Sequence, residues 1–198
     1  MREVSFDEAV PIVREGGVGV VPTDTLYGIV ASALSEKAVE RVYGVRGRSE
    51  DKPCIILIPN QDALEMFDVV PTEKMRAVLQ TYWPGAVSII LPCESERFSY
   101  LHRGTRTLAF RVPDPTHRAL ISFLEQTGPI IAPSANPQGS VPASTMLEAY
   151  GYFSNNVDCY VNGGTLAGKP STVLSIVSDR VQLVRQGTVP FIELKHSV

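Results

Sequence analysis

The chain has 198 residues, 44% of them hydrophobic and 20% charged, with a formal net charge of −3. This is ordinary globular composition, in a chain long enough to bury about 70% of its unfolded surface without a disulfide or metal staple. The negative balance argues against a protein built mainly to coat nucleic acid, where a basic domain is expected, but it leaves room for a local basic cleft.

In chain order, Ser5 caps a first helix, with Asp7 and Glu8 in the favourable first turn and Gly16-Gly17 as the stop. Pro11 inside that segment predicts a kink or a shorter helix. Val18 to Val21 reads as a short buried strand, Pro22-Thr-Asp-Thr25 interrupts it, and an apolar run resumes from Tyr27 to Ala33. Ser35 caps a second helix whose face of Val39, Val42 and Tyr43 follows helical spacing. Cys54 to Ile58 is a buried strand, and Pro71-Thr72 opens a helix through about Tyr82. After a turn at Trp83-Pro-Gly85 comes a strand from Ala86 to Leu91, then a polar stretch, Glu94 to Arg106, that reads as an exposed loop. Thr107 to Val112 is a strand closed by Pro113-Asp-Pro115, and Thr116 caps a helix that stops at Gly128. A short strand from Pro129 to Ala132, a loop to Pro142 and a helix near Ser144 follow. Strands near Tyr160, at 172–177 and at 181–185 complete the chain. Helices and buried strands alternate throughout, which predicts an α/β fold of the α+β type whose sheet is covered on both faces. The connections after Thr25 and between Val177 and Val181 are too short for helical crossovers, so the twisted sheet is mixed parallel and antiparallel.

The three cysteines are far apart, and neither they nor the three histidines show metal-ligand spacing. Reduced, partly buried thiols in a cytoplasmic setting are expected. No apolar stretch reaches transmembrane length, and acids at the N-terminus do not fit a signal peptide.

Polar and cationic side chains recur at strand ends. Thr23, Asp24 and Thr25 follow the first strand, Arg46, Arg48 and Lys52 precede the Cys54 strand, and Arg111 ends the 107–112 strand. Ser134-Ala-Asn136 follows the 129–132 strand, Ser171-Thr172 opens a late strand, and Arg185 closes the last. Ligands of open α/β sheets bind in the crevice at strand ends. Convergence there predicts a concave positive cleft with hydroxyl and amide donors, suited to an anionic polyphosphate ligand. Singly, each group has a local explanation: turn residues around Asp24, cations near a helix C-terminus, an Asx or Ser turn at Ser134-Ala-Asn136. Those explanations do not predict recurrence at strand ends. Gly163 to Lys169 matches G-x-x-x-x-G-K, but Pro170 stands where a P-loop needs Ser or Thr, and a strand pattern follows where it needs a helix.

These residues, in this order, resemble the YrdC/TsaC/YciO family. Pro22-Thr-Asp-Thr-Leu-Tyr-Gly28 resembles its P-T-[ED]-[TS]-x-Y-G signature, and Arg46-Gly-Arg48 with Lys52-Pro53 its K-x-R segment. Arg111-Val-Pro113, Ser134-Ala-Asn136, Gly163-Gly164, Ser171-Thr172 and Arg185-Gln-Gly187 are similar to its remaining elements. The resemblance implies a YrdC-like fold in a single domain and the synthesis of threonylcarbamoyl-AMP from ATP, L-threonine and bicarbonate, with Mg²⁺ carried on ATP and no protein metal ligand. The product would serve tRNA t6A modification, reaching tRNA indirectly through transfer proteins. By position, Arg46, Arg48 and Lys52 would be catalytic, and Thr23, Thr25 and Tyr27 would shape a threonine pocket. Arg48, Arg111, Ser134, Asn136, Ser171, Thr172 and Arg185 would bind ATP. One departure is Arg46 where the family has Lys, an exchange of a point charge for a planar fork; YciO-type members share it. The alternative function is a YciO-like, non-synthase, double-stranded-RNA-binding module on the same concave face.

Overall fold

Local signals set most of the elements of this computed structural model, which describes residues 1–49, 53–177 and 180–192. Ser5 Oγ accepts from the Glu8 N–H at 3.2 Å, and the Ser5 N–H donates to the Glu8 carboxylate at 2.8 Å. Helix α1 (Phe6–Arg14) then runs on past Pro11, because burial of Ala9, Val10 and Val13 offsets the one hydrogen bond the proline lacks. Helix α2 (Glu36–Arg46) starts at Ser35, as its spacing predicts, and stops at Gly47, whose φ of 55° is left-handed. There the Arg48 N–H closes back onto the Tyr43 carbonyl at 3.0 Å. Helix α3 (Glu73–Tyr82) is capped by Thr72.

Three segments differ from the sequence-based expectation. Residues 94–106 are not an exposed loop: they hold a 3₁₀ turn (Glu96–Phe98) and a short helix α4 (Ser99–His102), with Phe98, Leu101 and His102 buried. The polar residues that suggested a loop sit at the surface in ion pairs, Arg106 with Glu94 and Glu96 (2.9 Å each) and Arg103 with Glu40 (2.6 Å). Thr116 does not cap α5 (Arg118–Thr127); its hydroxyl and N–H both donate to the Asp114 carboxylate, and the helix begins after His117. Finally, a 3₁₀ helix (Gln61–Phe67) and strand β1 (Glu3–Val4) carry no clear periodicity and were not foreseen. Helix α6 (Met146–Phe153) is capped by Thr145.

The other strands are β2 (Gly19–Pro22), β3 (Tyr27–Ser32), β4 (Ile55–Leu57), β5 (Val87–Pro92), β6 (Thr107–Arg111), β7 (Ile130–Ile131), β8 (Cys159–Val161), β9 (Thr172–Val177) and β10 (Arg180–Arg185). Among the described residues they form one sheet in the order β1-β8-β2-β3-β7-β4-β6-β5-β9-β10. It is mixed: β2–β3, β3–β7, β4–β7, β5–β6 and β9–β10 are antiparallel, and β1–β8, β2–β8, β4–β6 and β5–β9 parallel. The two short returns are hairpins, as their lengths require.

Side-chain alternation along the strands gives the sheet two unlike faces. One carries Ile29, Ile56, Ile89, Phe110 and Leu174, fully buried beneath α2, α3, α4 and α6. On the other, Val21, Val30, Leu57 and Ile130 pack against Val10 and Val13 of α1 and Leu120, Phe123 and Leu124 of α5. That second cover stops at β4, and over β6, β5 and β9 the same face is open. The expectation of a sheet covered on both faces therefore holds for one half only, and the uncovered half is where the cavity lies. Among the described residues no helix is long and apolar enough to cross a membrane, and the three cysteines are buried and unpaired.

Candidate functional site

A cavity of about 490 Å³ occupies that open face, within the range of small-molecule sites. Its floor follows from register: Ile55 of β4 lies opposite Ala109 of β6, Ala109 opposite Ile90 of β5, and Val173 of β9 opposite Ser88. Thr107, Ala109 and Arg111 alternate with core Leu108 and Phe110, so β6 delivers one hydroxyl, one small apolar patch and one cation to the same side. Ala109 at the centre leaves room, and cations stand around it. Arg46, Arg48, Arg111 and Arg185 all line the cavity, and no acid does among the described residues.

Each arginine is held by a different part of the chain. Arg46 ends α2 and is 4% exposed. Its Nε–H donates to the Asn136 carbonyl at 2.9 Å and its Nη2 reaches Asn136 Oδ1 at 3.5 Å. Its Nη1 has no hydrogen-bond partner among the described residues. Burial, then the neighbouring Arg48, brings its pKa down to about 10; it remains a cation at neutral pH, poorly compensated and therefore receptive to an anion. Arg48 follows the left-handed Gly47, lies over the Tyr43 ring (5.9 Å to the centroid) and donates to the Pro53 carbonyl at 2.9 Å. Arg111, fully buried, pairs with Asp24 at 2.8 Å. Burial lowers its pKa and Asp24 opposes that shift. Such a pair fixes geometry more than it stabilises, and removing one partner strands the other charge.

Arg185 is placed by a β-bulge. Leu183 faces Leu174 and Arg185 faces Val173, so Val184 is one residue extra in β10. In a regular ladder Arg185 would share Leu183's face, away from the cavity. The bulge turns it over, and Ser171 then fixes it through Nε–H and Nη2–H bonds to its carbonyl at 3.2 and 2.9 Å.

The hydroxyls are equally constrained. Thr23 Oγ1 is the hub of the 23–26 turn, donating to the Leu26 carbonyl at 2.7 Å and accepting from the Thr25 and Leu26 N–H groups. Thr23, Thr25 and Ser134 line the cavity. Tyr27 also contributes to the lining, but its hydroxyl is engaged, donating to the Gly164 carbonyl and accepting from the Gly163 N–H, each at 2.8 Å. It pins the 163–164 turn over Pro22, where a Cβ on Gly163 would lie 2.5 Å from the proline ring.

Two predicted residues do not line the cavity. The Asn136 amide donates to the Pro137 and Ser140 carbonyls at 2.8 and 2.9 Å, so it shapes the loop that holds Arg46. Thr172 is fully buried and faces away, its hydroxyl bonded to the Val189 carbonyl and accepting from the Gly187 N–H. Lys52 lies outside the described residues. Sequence reasoning missed Thr105 and Thr107, which do line the cavity; the alternation Thr107-Leu-Ala-Phe-Arg111 carried the signal for Thr107. The 163–169 run leads into strand β9 rather than a helix, which removes the P-loop reading.

A family model named for Sua5, YciO and YrdC, and described as telomere recombination, matches residues 11–187. The chain belongs to this Sua5/YciO/YrdC family. A Bacillus subtilis relative, named threonylcarbamoyl-AMP synthase, is 36% identical over 186 residues, covering 92% of this chain and 53% of its own. The crystal structure of Pyrococcus abyssi Sua5 complexed with L-threonine superposes with a TM-score of 0.86 at 32% identity, covering 93% of this chain and 54% of that one. Escherichia coli YciO superposes at 0.79 with 28% identity, covering 92% and 88%. The chain thus spans about half the length of the Bacillus and Pyrococcus proteins and most of YciO.

Proposed function

We propose that the chain is a nucleotidyltransferase that makes threonylcarbamoyl-AMP and pyrophosphate from L-threonine, bicarbonate and ATP, supplying the threonylcarbamoyl group of tRNA t6A through separate transfer proteins. The observation that carries this reading is the convergence of four arginines, from α2, the turn that follows it, β6 and β10, on one cavity bordered by the Thr23–Thr25 turn. The synthase name of the Bacillus relative and the L-threonine complex of the Pyrococcus one support it.

The chemistry asks for this arrangement. Bicarbonate takes up a proton and loses water to give CO₂; threonine's amine adds to it and, losing a proton, gives a carbamate. A carbamate oxygen forms a bond to the α-phosphorus of ATP, the bond from that phosphorus to the bridging oxygen breaks, and pyrophosphate leaves with the electron pair. Two anions must meet, and charge grows on the phosphoryl and leaving oxygens. Fixed guanidiniums lower that barrier without reorganising, and holding both reactants in one cavity removes the entropy of their encounter. Arg46 and Arg48 would face the carbamate and phosphates, Arg111 and Arg185 the nucleotide, and Thr23 and Thr25 the amino acid. Bound Mg²⁺ would neutralise phosphate charge; with no carboxylate among the described lining residues, it would be carried by ATP and not by the protein.

The test is to incubate purified protein with ATP, Mg²⁺ and bicarbonate, with and without L-threonine. Threonylcarbamoyl-AMP is sought by mass spectrometry and pyrophosphate by a coupled assay. Threonine-dependent release of both is expected. No product from folded protein that still binds ATP would overturn the reading. Arg46 at the family's lysine position and the near full-length match to YciO favour one competitor, a non-synthase RNA-binding member.

A further inference from the structure

Ser88 lies on the cavity's face of the sheet, beside Val173, but does not line the cavity. It sits on β5, is fully buried, and its Oγ is 3.0 Å from Ser171 Oγ. Among the described residues that is its one hydrogen-bond partner. Ser171, by contrast, lines the cavity. Its Oγ also receives Arg185 Nη2–H at 3.3 Å.

A hydroxyl has one proton to donate and two lone pairs to accept with. The Ser88 proton has a single acceptor in reach, Ser171 Oγ. The opposite orientation, Ser171 donating to Ser88, would leave a buried O–H with no acceptor, which is the costlier arrangement. Ser88 therefore fills one lone pair of Ser171 and Arg185 the other. Ser171 Oγ has no accepting capacity left, and its own proton is directed to the one side still open, the cavity.

We infer that Ser88 is a positioning residue that makes Ser171 an obligate hydrogen-bond donor to an anionic oxygen of the nucleotide, beside the Arg185 guanidinium. Together they form a donor-only corner that accepts phosphate oxygens and rejects groups that must donate. The inference rests on the nucleotide reading of the cavity and adds a residue that does not itself reach the ligand.

The experiment compares wild type, Ser88→Ala, Ser171→Ala and the double variant by calorimetry, with ATP, pyrophosphate and L-threonine as separate probes. Ser88→Ala frees Ser171 to rotate, so affinity for ATP and pyrophosphate should fall about three- to tenfold, the range for one hydrogen bond. Threonine binding and the melting temperature should stay nearly unchanged. In the Ser171→Ala background the Ser88 change should have no further effect. Ser88→Cys, somewhat larger and a weaker donor, should fall between wild type and Ser88→Ala, and replaces the alanine variant if that one does not fold. An equal loss for all three probes, or the same loss with and without Ser171, would overturn the inference. If wild type binds pyrophosphate but neither ATP nor threonine, the synthase reading fails while the pyrophosphate comparison still decides the role of Ser88. If wild type binds none of the three, both fall.

Discussion

Arg48 and Arg46 lie two residues apart, yet the structure gives them different surroundings and so different tests. Arg48 lines the cavity and is braced by Tyr43 and the Pro53 carbonyl. Its replacement by alanine should cut threonine-dependent product formation about ten- to a hundredfold, the range for losing a charge-assisted contact to phosphate. The melting temperature should move little, and a large drop in a thermal scan would make the residue structural instead. Arg46 is the buried one, with a pKa brought down to about 10. Because the fold disfavours the charged form, its folded pKa lies below the ordinary arginine value of the unfolded chain. Between those two values the unfolded chain holds a proton that the fold has lost, so stability rises with pH there, and below about 10 the full penalty is present. Anion binding has the opposite sign, because it needs the proton. Pyrophosphate affinity of the wild type should therefore decline as pH rises through about 10, relative to Arg46→Gln, and the comparison cancels titration of the ligand itself. Parallel pH profiles for the two proteins would show that Arg46 does not hold the anion.

At the scale of elements, the site depends on two interruptions of regular structure. Gly47 ends α2 in a left-handed turn and so sends Arg46 and Arg48 to one cavity, and the extra Val184 turns Arg185 over. The bulge makes an unusual prediction. Deleting Val184 should regularise the ladder and leave Arg185 opposite Val173, so pyrophosphate affinity should stay within about threefold of wild type. Arg185→Ala should lose about ten- to a hundredfold, as for a charge-assisted contact. Calorimetry on both variants decides: if the deletion is as damaging as the alanine, the bulge is not what sets the face. These features also mark where reading the sequence succeeds and stops. Caps at Ser5, Ser35 and Thr72 and the apolar strands were legible because each is a local pattern a few residues long. The segment 94–106 was not, since its buried Phe98 and Leu101 are diluted by charges that pair at the surface. The cations at strand ends were legible as a recurrence. Their partners were not, because Arg111 meets Asp24 across 87 positions and Ser88 meets Ser171 across 83. Nor does a bulge announce itself in Leu183-Val-Arg185, where simple alternation points Arg185 the wrong way.

For the whole molecule, the decisive contrast is between net charge and its placement. The chain carries 18 basic and 21 acidic residues, yet four of the basic ones line a single cavity with no described acid among them. A surface that is negative overall repels a polyanion of extended length, while an enclosed positive site attracts a small one. A cavity of about 490 Å³ suits a nucleotide and an amino acid, whereas an RNA duplex would have to be read by basic side chains spread across an exposed face. The two readings of this family member therefore separate by ligand size. Fluorescence anisotropy with unmodified tRNA should show only weak binding, abolished by moderate salt and unaffected by pyrophosphate, because the tRNA would touch scattered outer cations. Pyrophosphate itself should bind with a shallower salt dependence, since its contacts are partly buried and poorly screened. Tight tRNA binding that falls steeply with salt and is competed away by pyrophosphate would place RNA phosphates on these same arginines. In that case the open face of the sheet would be a docking surface for nucleic acid, and the RNA-binding reading would replace the synthase.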